Sequence, residues 1–351
     1  MRKVAVVSCL PSFVENLEPR CLLAAALPDS PRIELDLNGG WRFIRQNVAG
    51  ASEKMFDDSA WQEIRVPHTW NGTDAQDGGN NYWRGDAWYR RRWRAPEALA
   101  GKQMYLRFEA VGQSAEVFIN GAKVGEHHGG YSAFVFDINP YTKVARANYI
   151  AVRVSNARSD DLAPVDDDWN LSGGITRDVT IFATDTAHID PLDYAAPGVY
   201  LKQSNVSASS ATVDARTLLR NTGGRQRKFD VIATVYDAAG NTVDQVTTRR
   251  TIDRKSTAEL TQVLTISNPK LWDGVRNPYL YTAHIELRNT EGTTLDSITQ
   301  PLGIRTFSVD PNNGLTLNGK YYDLRGVAFH PDRPGKGPAV SDADRAQDIS
   351  L

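Results

Sequence analysis

Ser114-Ala115-Glu116-Val117-Phe118-Ile119-Asn120-Gly121-Ala122-Lys123-Val124 decides the fold class of this chain. Ala115, Val117 and Ile119 alternate with Glu116 and Phe118, a period of two that sorts side chains onto the two faces of an extended strand. Asn120-Gly121 then separates this run from Ala122-Lys123-Val124. Both central residues of the tightest hairpin turn need positive φ, which Asn and Gly tolerate, so the stretch predicts a β-hairpin. Working outward, Phe134, Phe136 and Ile138 alternate, as do Ile150, Val152 and Val154, and Val179–Phe182 reads as another strand. Turn residues recur roughly every 8–12 residues, the spacing of sandwiches and barrels. The segment 29–190 therefore reads as an antiparallel β-sandwich.

A second β block follows Asp190-Pro191. Val199–Gln203, Ala211–Arg220, Phe229–Asp237, Asn241–Ile252, Glu259–Ile266 and Tyr279–Arg288 are strand candidates, and Leu302–Val309 is a seventh. Seven short alternating strands suit an immunoglobulin-like sandwich over 191–310, without the Cys…Trp…Cys pattern of antibody domains. Residues 311–351 change character. A tight hairpin at Leu317–Tyr321 leads into a strand predicted over Tyr322–His330, and a Pro/Gly-rich loop follows. Ser341 with Asp344 three residues on then forms an acidic capping box that opens a helix. Strand, loop and capped helix make one β/α unit. With no further barrel elements to pack on, 311–351 is expected to exchange its amides quickly.

Composition narrows the function classes. The chain has 351 residues, with 40 Lys+Arg against 42 Asp+Glu and a formal net charge of −2. That balance gives no electrostatic footprint for nucleic acid. No run of 18 apolar residues is present to span a bilayer as a helix. Eight Trp, 13 Tyr and 11 Phe are more aromatic surface than a disordered chain carries. The two cysteines, Cys9 and Cys21, both lie in the first 25 residues, so the β domains depend on neither a disulfide nor a zinc–thiolate site.

Few residues suggest chemistry on their own. Arg84, Arg90, Arg91, Arg92 and Arg94 tempt a nucleic-acid reading, but alternation puts Arg90 and Arg92 on one strand face with Trp88 and Arg91 on the other with Tyr89 and Trp93. Arginines stacked on aromatics and paired to carboxylates in a sheet account for them better. The six histidines form no metal-type pair. His330 stands apart because it ends a strand that precedes a helix, the place where a parallel β/α barrel carries its site. Asp166-Asp167-Asp168-Trp169 lacks the spacing of a calcium loop. It is either a solvated acidic turn or a place where Asp168 meets sugar hydroxyls and Trp169 the C–H face. No nucleophile elbow, phosphate loop or catalytic cysteine is present.

Several stretches together resemble glycoside hydrolase family 2, the β-galactosidase, β-glucuronidase and β-mannosidase group. They are Leu37-Asn38-Gly39-Gly40-Trp41-Arg42-Phe43, Val66-Pro67-His68-Thr69-Trp70-Asn71, Ala87-Trp88-Tyr89-Arg90-Arg91 and the run Phe108–Ile138. Gly173-Gly174-Ile175-Thr176-Arg177-Asp178-Val179 follows, with Thr176 where the family usually has Tyr, then Leu302–Phe307 and Leu324-Arg325-Gly326-Val327-Ala328-Phe329-His330. Ala328 replaces the family's usual Asn. The resemblance implies a mainly β chain: a jelly-roll sugar-binding domain, an immunoglobulin-like sandwich, then the first β/α unit of a (β/α)8 barrel. It places Asp168 and His330 in the glycone site, with Asp332 and Arg333 of the following loop as further substrate-binding candidates. It also implies a sodium contact for Asp168 in some members, a sodium or magnesium ion in the complete enzyme, and no organic cofactor. The implied partner is a carbohydrate, with galactoside the first choice, and the full-length form is a candidate homo-oligomer.

The implied mechanism is retaining hydrolysis, which uses two carboxylates about 5–5.5 Å apart. In the family both are glutamates on later barrel strands, and no Glu follows Glu291 in this sequence. A barrel needs about 250 residues, and 41 remain from Pro311 to Leu351. The chain thus reads as an N-terminal portion with no catalytic residue of its own. A non-catalytic carbohydrate-binding or assembly module is the alternative. Leu17-Glu18-Pro19-Arg20-Cys21-Leu22-Leu23 resembles the bacterial LEPR-x-LL motif, which implies export to the periplasm, cell surface or medium. A disordered leader is the plainer reading of residues 1–28 and is compatible with export; a cytoplasmic location is the alternative.

Overall fold

A computed structural model describes residues 30–74, 77–163, 171–326, 328–330 and 332–350. Two β-sandwiches follow one another along the chain. In the first, a six-stranded sheet runs in the order Gln62–Ile64, Trp41–Ile44, Asp86–Arg94, Ala147–Ser155, Ser114–Ile119, Ala122–His128. A four-stranded sheet, Ile33–Asp36, Val179–Thr184, Gln103–Phe108, Phe134–Asp137, faces it. All described pairings within both sheets are antiparallel, and chain neighbours are repeatedly not sheet neighbours, as a jelly roll requires. The period-two pattern becomes burial directly: Ala115, Val117 and Ile119 enter the core while Ser114, Glu116 and Phe118 do not. Asn120 and Gly121 take φ of 53° and 91°, the left-handed pair the hairpin turn demands.

The arginine-rich strand Asp86–Arg94 serves two cores. Tyr89 and Trp93 fill the space between the sheets. On the outer face Trp88 packs with Ala51, Trp61 and Phe118 in a smaller cluster. Arg90 is buried beside that cluster, its Nε 2.8 Å from the Asp58 carboxylate and its guanidinium over Phe56. Arg90 is therefore part of the scaffold, while Arg84, Arg92 and Arg94 are exposed.

The second sandwich pairs Ser210–Asn221 with Ala187–Ile189, Val199–Ser204 and Ser256–Ser267. Its other sheet runs Thr242–Ile252, Arg227–Tyr236, Tyr281–Asn289, Thr294–Leu302. Leu219, Phe229, Leu264, Ile285 and Leu287 fill its core. The strand expected over Leu302–Val309 differs: the chain's next strand is Thr294–Leu302, Ile304 still enters this core, and Phe307–Asp310 belongs to a separate small sheet. Leu295, Asp296 and Ser297 are buried in succession, and Pro301 sits in this edge strand. A buried carboxylate and a proline erase the alternation by which the strand would be recognised.

Residues 307–321 form a small three-stranded sheet, Phe307–Asp310, Gly314–Leu317 and Lys320–Tyr321. The strand expected over Tyr322–His330 is not formed among its described residues. Leu324 and Phe329 are exposed there, and the described residues supply no neighbouring strand to pair them. The helix follows as expected, Asp342–Ser350, with Ser341 and Asp344 capping each other: Ser341 N donates to Asp344 Oδ2 at 2.8 Å and Asp344 N to Ser341 Oγ at 3.2 Å. Within 332–350 the loop and helix are ion-paired to each other. Arg333 and Lys336 hold Asp344 at 2.9 and 2.8 Å, which ties the loop to the helix.

The two sandwiches are joined by buried polar contacts. Arg32 Nε and Nη2 donate to the fully buried Asp296 carboxylate at 2.7 and 2.8 Å, and that carboxylate also accepts from Ile189 N at 2.8 Å. Tyr105 Oη lies 2.6 Å from His188 Nε2, and Arg107 donates to Ala195 O at 2.8 Å. No helix among the described residues is long and apolar enough to cross a membrane.

Candidate functional site

The first sandwich ends in loops knitted together by two buried amides. Asn71 Nδ2 donates to both Asp74 carboxylate oxygens at 3.1 Å, and its Oδ1 accepts from Gly173 N at 2.8 Å and Asn156 Nδ2 at 3.1 Å. Asn156 Nδ2 also donates to Leu171 O at 2.7 Å and Trp83 O at 3.0 Å, while its Oδ1 accepts from Gly85 N at 2.9 Å. Thr69 Oγ1 closes the same knot on Gly173 O at 2.6 Å. Each amide meets its own donors and acceptors with backbone groups that a loop would otherwise leave unsatisfied. The Gly173-Gly174 pair is required sterically. A methyl on Gly173 would overlap the Trp70 indole, and Gly174 has φ +137° against the His68 carbonyl.

Below this knot His68 Nδ1 lies 2.7 Å from Tyr89 Oη and its ring packs on Phe43. Burial lowers the His68 pKa to about 4, so it is a neutral scaffold imidazole near pH 7. Burial likewise raises the Tyr89 phenol well above its ordinary value.

Between these loops and the C-terminal segment lies a cleft of about 1620 Å³. Glu109, Gln113, Tyr131 and Arg177 belong to its sandwich wall, and Phe329, His330 and Asp332 to the opposite one. Tyr131 and Phe329 are 71% and 52% exposed, flat apolar faces beside carboxylates, an amide and guanidinium groups. Aromatic faces with a few convergent polar groups are the equipment for holding a polyhydroxylated ring, C–H side to the aromatics and hydroxyls to the polar groups.

The structure brings His330 and Asp332 together on the cleft, with Asp332 N donating to His330 O at 2.8 Å. Arg333 turns instead to the helix, paired with Asp344 at 2.9 Å, with Asp348, and hydrogen-bonded to Gln347 at 3.1 Å. Asp168, with its neighbours Asp166, Asp167 and Trp169 and its suggested sodium contact, lies outside the described residues. Among the described residues no group of three or more His, Cys, Asp or Glu side chains is placed to hold a metal ion. Sequence reasoning missed Asn71, Asn156, Gln113, Tyr131 and Arg177. All but Asn156 sat inside recognised motifs, but nothing in a linear pattern reveals that an amide will be buried between two loops.

Comparison with known proteins fits this geometry. Residues 35–185 match the family description "Glycosyl hydrolases family 2, sugar binding domain", and residues 195–305 match "Glycosyl hydrolases family 2". A β-glucuronidase of Bacteroides fragilis is 36% identical over 324 residues, covering 91% of this chain and 44% of the relative. A β-galactosidase of Bacteroides ovatus is 34% identical, covering 89% and 36%. The crystal structure of a Bacteroides uniformis β-glucuronidase superposes with a TM-score of 0.87 at 34% identity, over 91% of this chain and 38% of that one. The chain thus spans less than half the length of these relatives. Two β-sandwiches in this order, matched along most of their length, place the chain in glycosyl hydrolases family 2.

Proposed function

We propose that this chain is the glycone-side, N-terminal part of a retaining β-glycosidase acting on terminal β-galactosides. The observation that carries the reading is the cleft, in which the Gly173–Arg177 turn of the sugar-binding domain faces His330 and Asp332. Of these, the family resemblance assigns His330 and Asp332 to sugar binding, and it assigns Asp168 as well. In this reading Asp168 is a further sugar contact, and sodium is its ion. The two glutamates that retaining chemistry uses belong to the part of the relatives' length not spanned here, so residues 1–351 alone hydrolyse nothing. The LEPR-like leader supports export. A glucuronide is the competing sugar, because the Bacteroides fragilis and Bacteroides uniformis relatives are β-glucuronidases. A non-catalytic carbohydrate-binding or assembly module is the competing role.

The test is to titrate the purified chain with methyl β-galactoside and methyl β-glucuronide by saturation-transfer NMR, and to assay it on the two 4-nitrophenyl glycosides. Saturable galactoside binding without turnover is expected. Preference for the glucuronide reassigns the sugar, binding of neither sinks the glycoside reading, and turnover sinks the claim of inactivity. An in-frame Asn-Glu pair encoded downstream of Leu351 separates the enzyme from the module.

A further inference from the structure

The loop 332–340 and the helix Asp342–Ser350 form one stiff unit. Gly337 N donates to Arg333 O at 2.8 Å, Lys336 and Arg333 both pair with Asp344, and Arg345 Nη1 donates to Val340 O at 3.2 Å. Where that unit sits against the first sandwich is decided by few contacts. Arg177 Nη1 donates to Thr176 O at 2.8 Å in its own turn and to Pro338 O at 2.5 Å across the cleft's end. Nearby, Gly72 packs so tightly that an added methyl would stand 2.8 Å from Gly335 O, and Gly337 lies over Thr69 and Gly72.

We propose that Arg177 is the positioning residue through which the sugar-binding domain sets the place of the cleft's opposite wall, including His330 and Asp332. The chain of contacts is short. Asn71 and Thr69 fix the Gly173 turn, that turn presents Arg177, and one guanidinium nitrogen bridges it to the loop carbonyl. Because the unit is internally stiff, one anchor displaces all of it together, and the residues that immediately precede it move as well. Among the described residues around it, Asp178 on its own segment and Arg345 of the helix are the charges that act on Arg177; their opposite signs leave the carbonyl bridge as the directional contact. The inference deepens the glycoside reading, which gives the displacement its meaning, yet the coupling is measured without sugar.

The experiment compares the 1–351 chain with Arg177→Gln, Arg177→Lys and Gly72→Ala by amide hydrogen exchange and by the NMR signals of the His330 ring. Arg177→Gln and Gly72→Ala are expected to speed exchange across 333–350 by about tenfold while leaving Tyr281–Asn289 unchanged. In Arg177→Gln the His330 ring signals shift, and Arg177→Lys, which keeps a charged donor, restores part of both effects. Unchanged exchange in both Arg177→Gln and Gly72→Ala overturns the proposal, as does equal acceleration throughout the chain, which is plain destabilisation. Failure of the wild type to bind any glycoside overturns the proposed function and leaves this coupling standing.

Discussion

The two sandwiches obey the same pattern and use it differently. In the second, Ser210–Asn221 alternates buried and unburied without a break, and its buried amides, Asn221 and Gln262, tie strand ends and sheets together. In the first, the core is just as regular, but the buried amides Asn71 and Asn156 join loop to loop beside an open cleft. Alternation builds a core in either case, and the site is built where alternation stops. A chain that needs only a spacer ends its strands in exposed turns, whereas one that presents a wall must satisfy buried loop backbone from side chains.

The largest expected effect comes from cutting the contact the two regions share. Arg32→Met strands the buried Asp296 carboxylate, which costs about 3–5 kcal/mol when a buried pair loses one partner. Seven of the eight tryptophans precede residue 190, so fluorescence reports the first sandwich and far-UV dichroism both. In urea, the variant is expected to unfold in two separated steps where the wild type shows one. Coincident transitions in the variant would mean that the sandwiches are coupled elsewhere.

Next is Gly173→Ala, which drives a methyl into the Trp70 indole and is expected to cost about 3 kcal/mol through overpacking and φ-independent clash. In the Arg32→Met background, where the two steps are separated, the loss should appear in the fluorescence transition and leave the second sandwich's transition unmoved. A cost below 1 kcal/mol, on the scale of an ordinary exposed substitution, would show that the turn has room the structure does not give it.

These are the places where the sequence is least legible. Both folds could be read from residues such as Val117 and Ile119 in the first and Val213 and Ala215 in the second, because burial of alternate side chains is a local property. Thr294–Leu302 was missed because Asp296 is buried for a partner 264 residues away, which no local pattern records. Tyr322–His330 was over-read because a run of apolar residues becomes a strand only when a neighbour pairs with it. His330 and Asp332 were legible through the family motif, whereas the Asn71–Asn156 knot that holds the facing wall depends on contacts 85 residues apart.

A smaller effect distinguishes the regions by pH. His68 is a base whose folded pKa, about 4, lies below the ordinary 6.5, so the folded state favours the neutral form. Its contribution is complete above pH 6.5 and is lost as pH falls toward 4, because the unfolded chain takes up the proton first. His68→Gln removes that titration. The variant is expected to be less stable than wild type at pH 7, through the lost Tyr89 contact, and to lose less stability on acidification over that window. Parallel pH profiles for fluorescence-detected unfolding would refute the assignment.

The smallest effect is the control in the other sandwich. Gly292 has φ +88° at the hairpin joining Tyr281–Asn289 to Thr294–Leu302, and an added methyl meets nothing within 4 Å. Gly292→Ala therefore pays only backbone strain, about 1 kcal/mol. In the same Arg32→Met background, that strand-hairpin strain is expected to move the dichroism step of the second sandwich and to leave the fluorescence step, carried mainly by the seven tryptophans before residue 190, in place. Both glycines sit in loops, but one is held by its conformation and the other by what it touches. If Gly292→Ala costs as much as Gly173→Ala, then steric crowding at the cleft is not what separates the two sandwiches, and the difference between spacer and wall must lie in the buried amides alone.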